Sequence, residues 1–292
     1  MSLETKVMLV DLDISVFGGK KTDRSVSEDV AAQHNADRHD SGRYEKNIIS
    51  KHALKEIQNL AGAARREHYA RTLPFTHGGG DLIAVKGYMD YCGAMQVLKE
   101  KFSDSVRLFE KAYPKLIEEA RTRLNGMFNQ EDYPPIDQLR SRFSFDIYFR
   151  PLPNTQSWAL RDIANEEMDI LKQAHEQNLQ QGIAEAVRVP YQRIASVTEK
   201  MVTKLKAYGR DPETGKVISN FHETLISNVE EMAELIPSLN ITDDPELDAL
   251  AERIRTELCK FDAEALKAEP RFREEVADKA QAILDHVSAL MG

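Results

Sequence analysis

The chain of 292 residues carries 48 Asp and Glu against 39 Lys and Arg, a net charge of −9, with 41% hydrophobic and 30% charged residues. That balance excludes wholesale disorder, and the length suits one domain or two. Its two cysteines, Cys92 and Cys259, stand far apart and outside any CxxC pair, which excludes a disulfide framework and a zinc site of cysteine pairs. No window approaches the ~20 apolar residues of a bilayer span, and the start lacks a basic stretch followed by an apolar core. A cytoplasmic protein with two free thiols and no membrane partner is expected.

In chain order, Val7–Phe17 alternates apolar residues with Asp11, Asp13 and Ser15, the pattern of a strand with one buried face, and Gly18-Gly19 ends it. Lys20–Arg43 is polar and is predicted as a long loop with a short helical turn at Ser27–Gln33. Tyr44–Arg71 is predicted as a helix, stopped by Leu73-Pro74. A glycine-bearing connection, Phe75–Asp81, follows.

From about Val85 to Met127 the spacing predicts a long helix. Tyr88, Tyr91, Met95, Leu98, Phe102, Val106, Phe109, Tyr113, Leu116 and Ala120 recur at three and four residues, a narrow apolar seam that another element must cover. Pro114 removes one of its hydrogen bonds and predicts a kink. Pro134-Pro135 opens a short helix, Ile136–Ser141. Phe143–Phe149 alternates as a second strand, whose natural partner is the first, because a lone strand leaves its backbone groups unpaired.

The remainder reads as helix. Gln156–Gly209 is predicted as a very long rod that Pro190 kinks or restarts, and Asp211–Gly215 as a turn. Helices follow at Ser219–Leu235, Pro245–Cys259 and Pro270–Leu290, the last two with proline at the first helical position. The expected fold is therefore mostly α: an elongated, coiled-coil-like bundle of long helices with a small two-stranded sheet formed by residues 7–17 and 143–149. The expected organisation is a sheet-plus-helix part at 1–155 and a helical rod with acidic C-terminal helices at 156–292, able to pack as one continuous domain.

Charge is segregated. Residues 211–292 hold 19 acidic against 8 basic residues, whereas Arg188, Arg193, Lys200, Lys204, Lys206 and Arg210 just before them face the single acid Glu199. That basic stretch is the candidate interaction patch, for acidic helices of this chain or a neighbouring copy, or for nucleic-acid backbone. His34–Asp40 has metal-ligand residue types at short spacing, but a mobile polar loop explains them as well. Asp11, Asp13 and Asp146 would share strand faces and could hold a divalent ion, with Tyr148 and Arg150 beside Asp146; solvent-facing acids are the plainer explanation. His77-Gly78-Gly79-Gly80 has neither a Gly-x-Ser-x-Gly partner nor a following Gly-Lys-Ser/Thr, so it is neither an oxyanion loop nor a phosphate loop.

Three stretches, Val7–Gly19, Tyr69–Phe102 and Tyr113–Pro153 (the last, with Ala112 before it, reading AYPKLIEEARTRL…MFNQEDYPPIDQLRSRFSFDIYFRPLP), resemble an uncharacterised family of bacterial, phage and integrative-element proteins, a domain of unknown function. The resemblance covers roughly the first half of the chain. It implies no catalytic residues and no cofactor. It implies an accessory, adaptor or client role, because members of that family are often encoded beside a MoxR- or CobS-like AAA+ ATPase and a von Willebrand A-type protein.

The expected function is a non-enzymatic helical interaction protein of a phage or mobile element, working beside a MoxR-like AAA+ ATPase or as a homo-oligomer in the bacterial cytoplasm. The alternatives are a nucleic-acid-handling protein of phage recombination or replication that uses the basic stretch, and a metal-dependent enzyme that uses Asp11, Asp13 and Asp146.

Overall fold

The protein is mostly α-helical. The computed structural model describes residues 3–75, 79–152, 165–210 and 217–292. In chain order they form β1 (Val7–Ser15), β2 (Lys20–Thr22), α1 (Arg24–Gln33), β3 (Glu45–Asn47), α2 (Lys51–Arg71), β4 (Leu73–Pro74), β5 (Asp81–Ala84), α3 (Tyr88–Leu124), α4 (Ile136–Arg140) and β6 (Ser144–Pro151). There follow α5 (Asn165–Ala207), β7 (Gly209–Arg210), β8 (Val217–Ser219), α6 (Thr224–Leu239), α7 (Pro245–Arg253), a π-helical turn at Ile254–Leu258, α8 (Ala263–Ala268) and α9 (Pro270–Met291). The helix expected before Asn165, the turn expected at Asp211–Gly215 and the His77-Gly78 pair lie outside the described residues.

The two strands read from sequence are neighbours, in a sheet of four with the order β4-β5-β1-β6. The two additional strands are short. β5 pairs antiparallel with β1, Val7 opposite Ala84 and Val10 opposite Asp81, and β4 pairs antiparallel with β5. β6 runs opposite to β1: Arg150 near its end bonds Asp11, while Ser144 at its start receives the Ser15 amide at 3.1 Å. β1 buries Leu9 and Val10 in succession, so both faces of its first half are covered, where the alternation had indicated one. β2 and β3 form a separate two-stranded antiparallel ribbon.

The chain divides into two compact units, and neither is a sequential half. One comprises Met1–Asp11, Tyr69–Tyr91 and Phe149–Gly292; the other comprises Leu12–His68 and Cys92–Tyr148. The division expected at residue 155 does not coincide with this one, because strand pairing draws the N-terminus and Tyr69–Tyr91 to the later helices.

In the first unit, Ile194, Met201 and Leu205 of α5 pack with Val229, Ala233 and Ile236 of α6 and with Leu250, Ile254, Ile283 and Val287 of the later helices. A second cluster joins Val7, Leu9, Leu73 and Leu82 to Ala186, Leu239 and Ile241. Pro190 lies inside α5, which continues through it without a new start. α8 was not foreseen; Asp262 caps it by accepting the Ala265 amide at 2.7 Å. Pro245 and Pro270 occupy first-turn positions as expected.

The second unit is built on α2 and most of α3. Phe102, Val106, Phe109, Tyr113 and Ala120 of the seam are buried, covered in part by Phe143 and Phe145, whose rings stand edge-on to Phe109 and Phe102 at 5.7 and 5.6 Å. Pro114 sits within α3, which runs on to Leu124.

Two expectations need correction in this unit. Lys20–Arg43 is no long loop: Asp23 accepts the Val26 amide and caps the ten-residue helix α1. Residues 44–50 are not helical either, since β3 pairs there with β2 and Lys46 inserts its side chain inward. The side chain is 6% exposed, and its ammonium lies 2.9 Å from Asp23, 2.8 Å from Asp132 and 2.8 Å from the Met127 carbonyl. Two carboxylates and a carbonyl thus surround the ammonium, which bonds to Asp23 and Met127 and pairs with Asp132, the arrangement that makes a buried charge tolerable.

Candidate functional site

The second unit carries a groove of about 920 Å³ between α3, α4 and the start of β6. Helical spacing puts Phe102 and Val106 of α3 one turn apart on its floor, with Pro114 further along, and Ile136 of α4 forms a wall. Phe143, Ser144, Phe145 and Asp146 line it consecutively. Side chains alternate across a strand, so four successive residues line a groove only where it follows the strand's edge. Among the described residues β6 is the terminal strand of its sheet, and β1 is its one strand neighbour there.

The rim of the groove is cationic on balance. Lys99, Arg107, Lys111 and Arg140 stand against Glu110 and Asp146. Arg140 forks onto Glu110 through Nε and Nη2 at 2.9 and 3.1 Å, which draws the Glu110 carboxyl below the usual glutamate range. Lys99 lies 3.5 Å from Asp146, and Arg107 pairs with Asp104 on its own helix. Lys111 has no ion pair among the described residues.

The six residues of the basic stretch do not form one patch. Arg193 turns its guanidinium inward and donates to the carbonyls of Ala70 and Thr72, both at 2.8 Å. Lys200 and Lys204 lie one turn apart, exposed and without an ion pair among the described residues. Lys206 is roughly opposite to Lys204 around the helix and donates to the Gln281 carboxamide at 3.0 Å. Arg188 is exposed, and the side chain of Arg210 lies outside the described residues. α5 packs on α9 through the apolar cluster, not through ion pairs of these lysines.

The three strand carboxylates have separate fates. Arg150 grips Asp11 through Nε and Nη2 at 3.0 and 2.7 Å and also donates to the Gly79 carbonyl at 3.0 Å. Gly80, at φ +93°, lies so close that a Cβ there would meet Asp11 Oδ1 at 2.6 Å. This knot fixes the end of the glycine connection to β1. Asp146 faces Lys99, and Asp13 is exposed. Among the described residues no three His, Cys, Asp or Glu side chains gather closely enough to hold a metal ion.

His34–Asp40 is the turn that follows α1. Arg38 pairs with Glu28, and Asp37 accepts the His39 amide at 2.7 Å. Both cysteines are free thiols, and burial pushes the Cys259 thiol up to about 11, which leaves it protonated and unreactive at neutral pH. No helix among the described residues is long and apolar enough to cross a membrane.

Sequence reasoning missed the groove because Phe102, Ile136 and Phe145 are brought together only by packing. Its one early signal was Phe143–Phe149, a strand for which a single partner was in view. No protein-family model matches the chain, and no curated protein or solved structure shows significant similarity to it.

Proposed function

We propose that the protein is a non-enzymatic interaction module that receives an extended, acidic and partly apolar segment of a protein partner along the groove between α3, α4 and β6. The observation that carries this reading is an apolar floor and a rim with cationic excess beside β6, the terminal strand among the described residues. An added strand would satisfy the edge backbone, its alternate side chains would enter the groove, and its carboxylates would face Arg107 and Lys111. The partner suggested by the family resemblance is a MoxR-like AAA+ ATPase in the cytoplasm of a bacterial host, with this chain as its adaptor or client.

The test is a binding measurement between the full chain and such an ATPase. Ile136→Glu puts a charge into the groove wall, and Arg107→Glu with Lys111→Glu reverses the rim. Each variant is expected to weaken binding at least tenfold while keeping its helical circular dichroism. Unchanged affinity in both variants, or absence of binding by the parent chain, would overturn the reading.

A further inference from the structure

Apart from that groove, the second unit holds a cleft within its excursion from β2 to β3. The β2–β3 ribbon pairs Lys20 with Asn47 and Thr22 with Glu45, closing the excursion at its base. Above the base the backbone is fastened to itself. The Asp23 amide donates to the Tyr44 carbonyl at 2.9 Å, the Tyr44 amide to Ser27 Oγ at 3.0 Å, and the Ala36 amide to the Ala31 carbonyl at 2.9 Å. The Ser41 amide donates to the Asp37 carbonyl at 2.9 Å, and Gly42 takes φ +83°, a conformation that favours glycine.

This framework encloses about 620 Å³, within the size range of small-molecule sites. Arg24, Arg38 and Arg43 line the cleft together with Thr22, Ser27, His39 and Gly42, and among the described residues no carboxylate lines it. Arg38 has Glu28 as an outer partner. Arg24 and Arg43 make no ion pair among the described residues. In a chain of net charge −9, three arginines therefore line one concavity with no carboxylate among the lining residues, and among the described residues only Arg38 is paired, with Glu28. Like charges held together repel, and a bound anion relieves that repulsion. The guanidinium fork matches the oxygens of a phosphate.

We propose that this cleft is a binding site for a small phosphate-bearing anion of the pyrophosphate or polyphosphate class. A diphosphate offers oxygens enough for three guanidinium groups. The forked donors of the three arginines match phosphate oxygens, so the phosphates are what the site recognises. The site is separate from the peptide groove and does not depend on it.

The experiment is calorimetric titration of the full chain at about 50 mM salt, where charge interactions are little screened, with inorganic pyrophosphate, with orthophosphate and with a single-stranded DNA oligonucleotide. Pyrophosphate is expected to bind saturably at one site per chain and more tightly than orthophosphate. The Arg24→Gln/Arg43→Gln double variant is expected to lose at least tenfold in affinity. Lys200→Gln/Lys204→Gln, which removes two charges elsewhere, is expected to leave affinity unchanged.

Arg24 and Arg43 are exposed, and circular dichroism checks that the double variant folds. Arg43→Lys, which keeps the charge and loses the fork, is the second variant and is expected to weaken binding about threefold. Absence of saturable pyrophosphate binding, or equal loss in the Lys200/Lys204 control, would overturn the proposal. DNA binding that pyrophosphate does not displace, without a pyrophosphate site, would overturn it in favour of a nucleic-acid surface.

Discussion

Replacing Lys46 with methionine tests the least anticipated feature of the fold. Among the described residues the lysine ammonium is the one cation paired with both Asp23 and Asp132, whose side chains are 12% and 10% exposed. Burial works against the ammonium, but its bonds to Asp132 and Asp23 outweigh that and hold its pKa above the ordinary lysine value. In turn Lys46, aided by Ser25 and the Val26 amide, lowers the Asp23 carboxyl to about 2 from 3.8. Lys46→Met keeps the apolar stem and leaves two buried carboxylates facing each other. Loss of one partner from a buried ionic cluster costs about 3–5 kcal/mol.

The whole Asp23 shift corresponds to about 2 kcal/mol by linkage, and the share due to Lys46 is what the variant loses, since Ser25 and the Val26 amide remain. A depressed carboxylate stabilises the fold above its unfolded pKa, and that stability drains away as pH falls from about 4 through about 2. Urea unfolding followed by circular dichroism should therefore show a large deficit for Lys46→Met at pH 7 that narrows toward pH 2. A deficit under 1 kcal/mol at pH 7, or one independent of pH, would refute the reasoning.

Phe102→Ala and Phe109→Ala, with parent side chains 3% and 4% exposed, should each cost about 3–5 kcal/mol in chemical denaturation. Gly182→Ala should destabilise despite the ~1 kcal/mol that alanine gains over glycine inside a helix: its Cβ would lie 2.5 Å from the buried Phe75 ring, and a raised melting temperature would show that the ring yields. Glu110→Ala should cost about 1 kcal/mol, because its side chain is 13% exposed and holds the Arg140 fork; a neutral result would show the pair to be dispensable. Lys200→Glu should leave stability within about 0.5 kcal/mol, whereas Lys204→Glu and Lys206→Glu, in the last turn of α5, should each cost about 0.5–1 kcal/mol through the helix dipole, an effect that added salt reduces.

The long elements were legible in the sequence because their determinants are local. The three-and-four spacing from Tyr88 to Ala120 defines one buried stripe whatever covers it, so α3 ends within three residues of where the pattern places it. Alternation did the same for β1 and β6, and the proline first turns for α7 and α9. What the sequence could not show depends on partners distant along the chain. The apolar run Val7-Met8-Leu9-Val10 is compatible with cover on both faces but does not say what supplies it, and β4 and β5 are too short to have a period.

Lys46 looks like any exposed lysine until Asp23 and Asp132 close on it. Glu110 looks like a free surface acid until Arg140 arrives from α4. The basic stretch reads as one patch only as a string of letters: helical rotation separates Lys204 from Lys206, and the Ala70 and Thr72 carbonyls engage Arg193. The groove beside β6 and the arginine-lined cleft belong to this second kind. Periodic burial is written into neighbouring residues, whereas ionic and recognition geometry exists only once remote segments have been packed together.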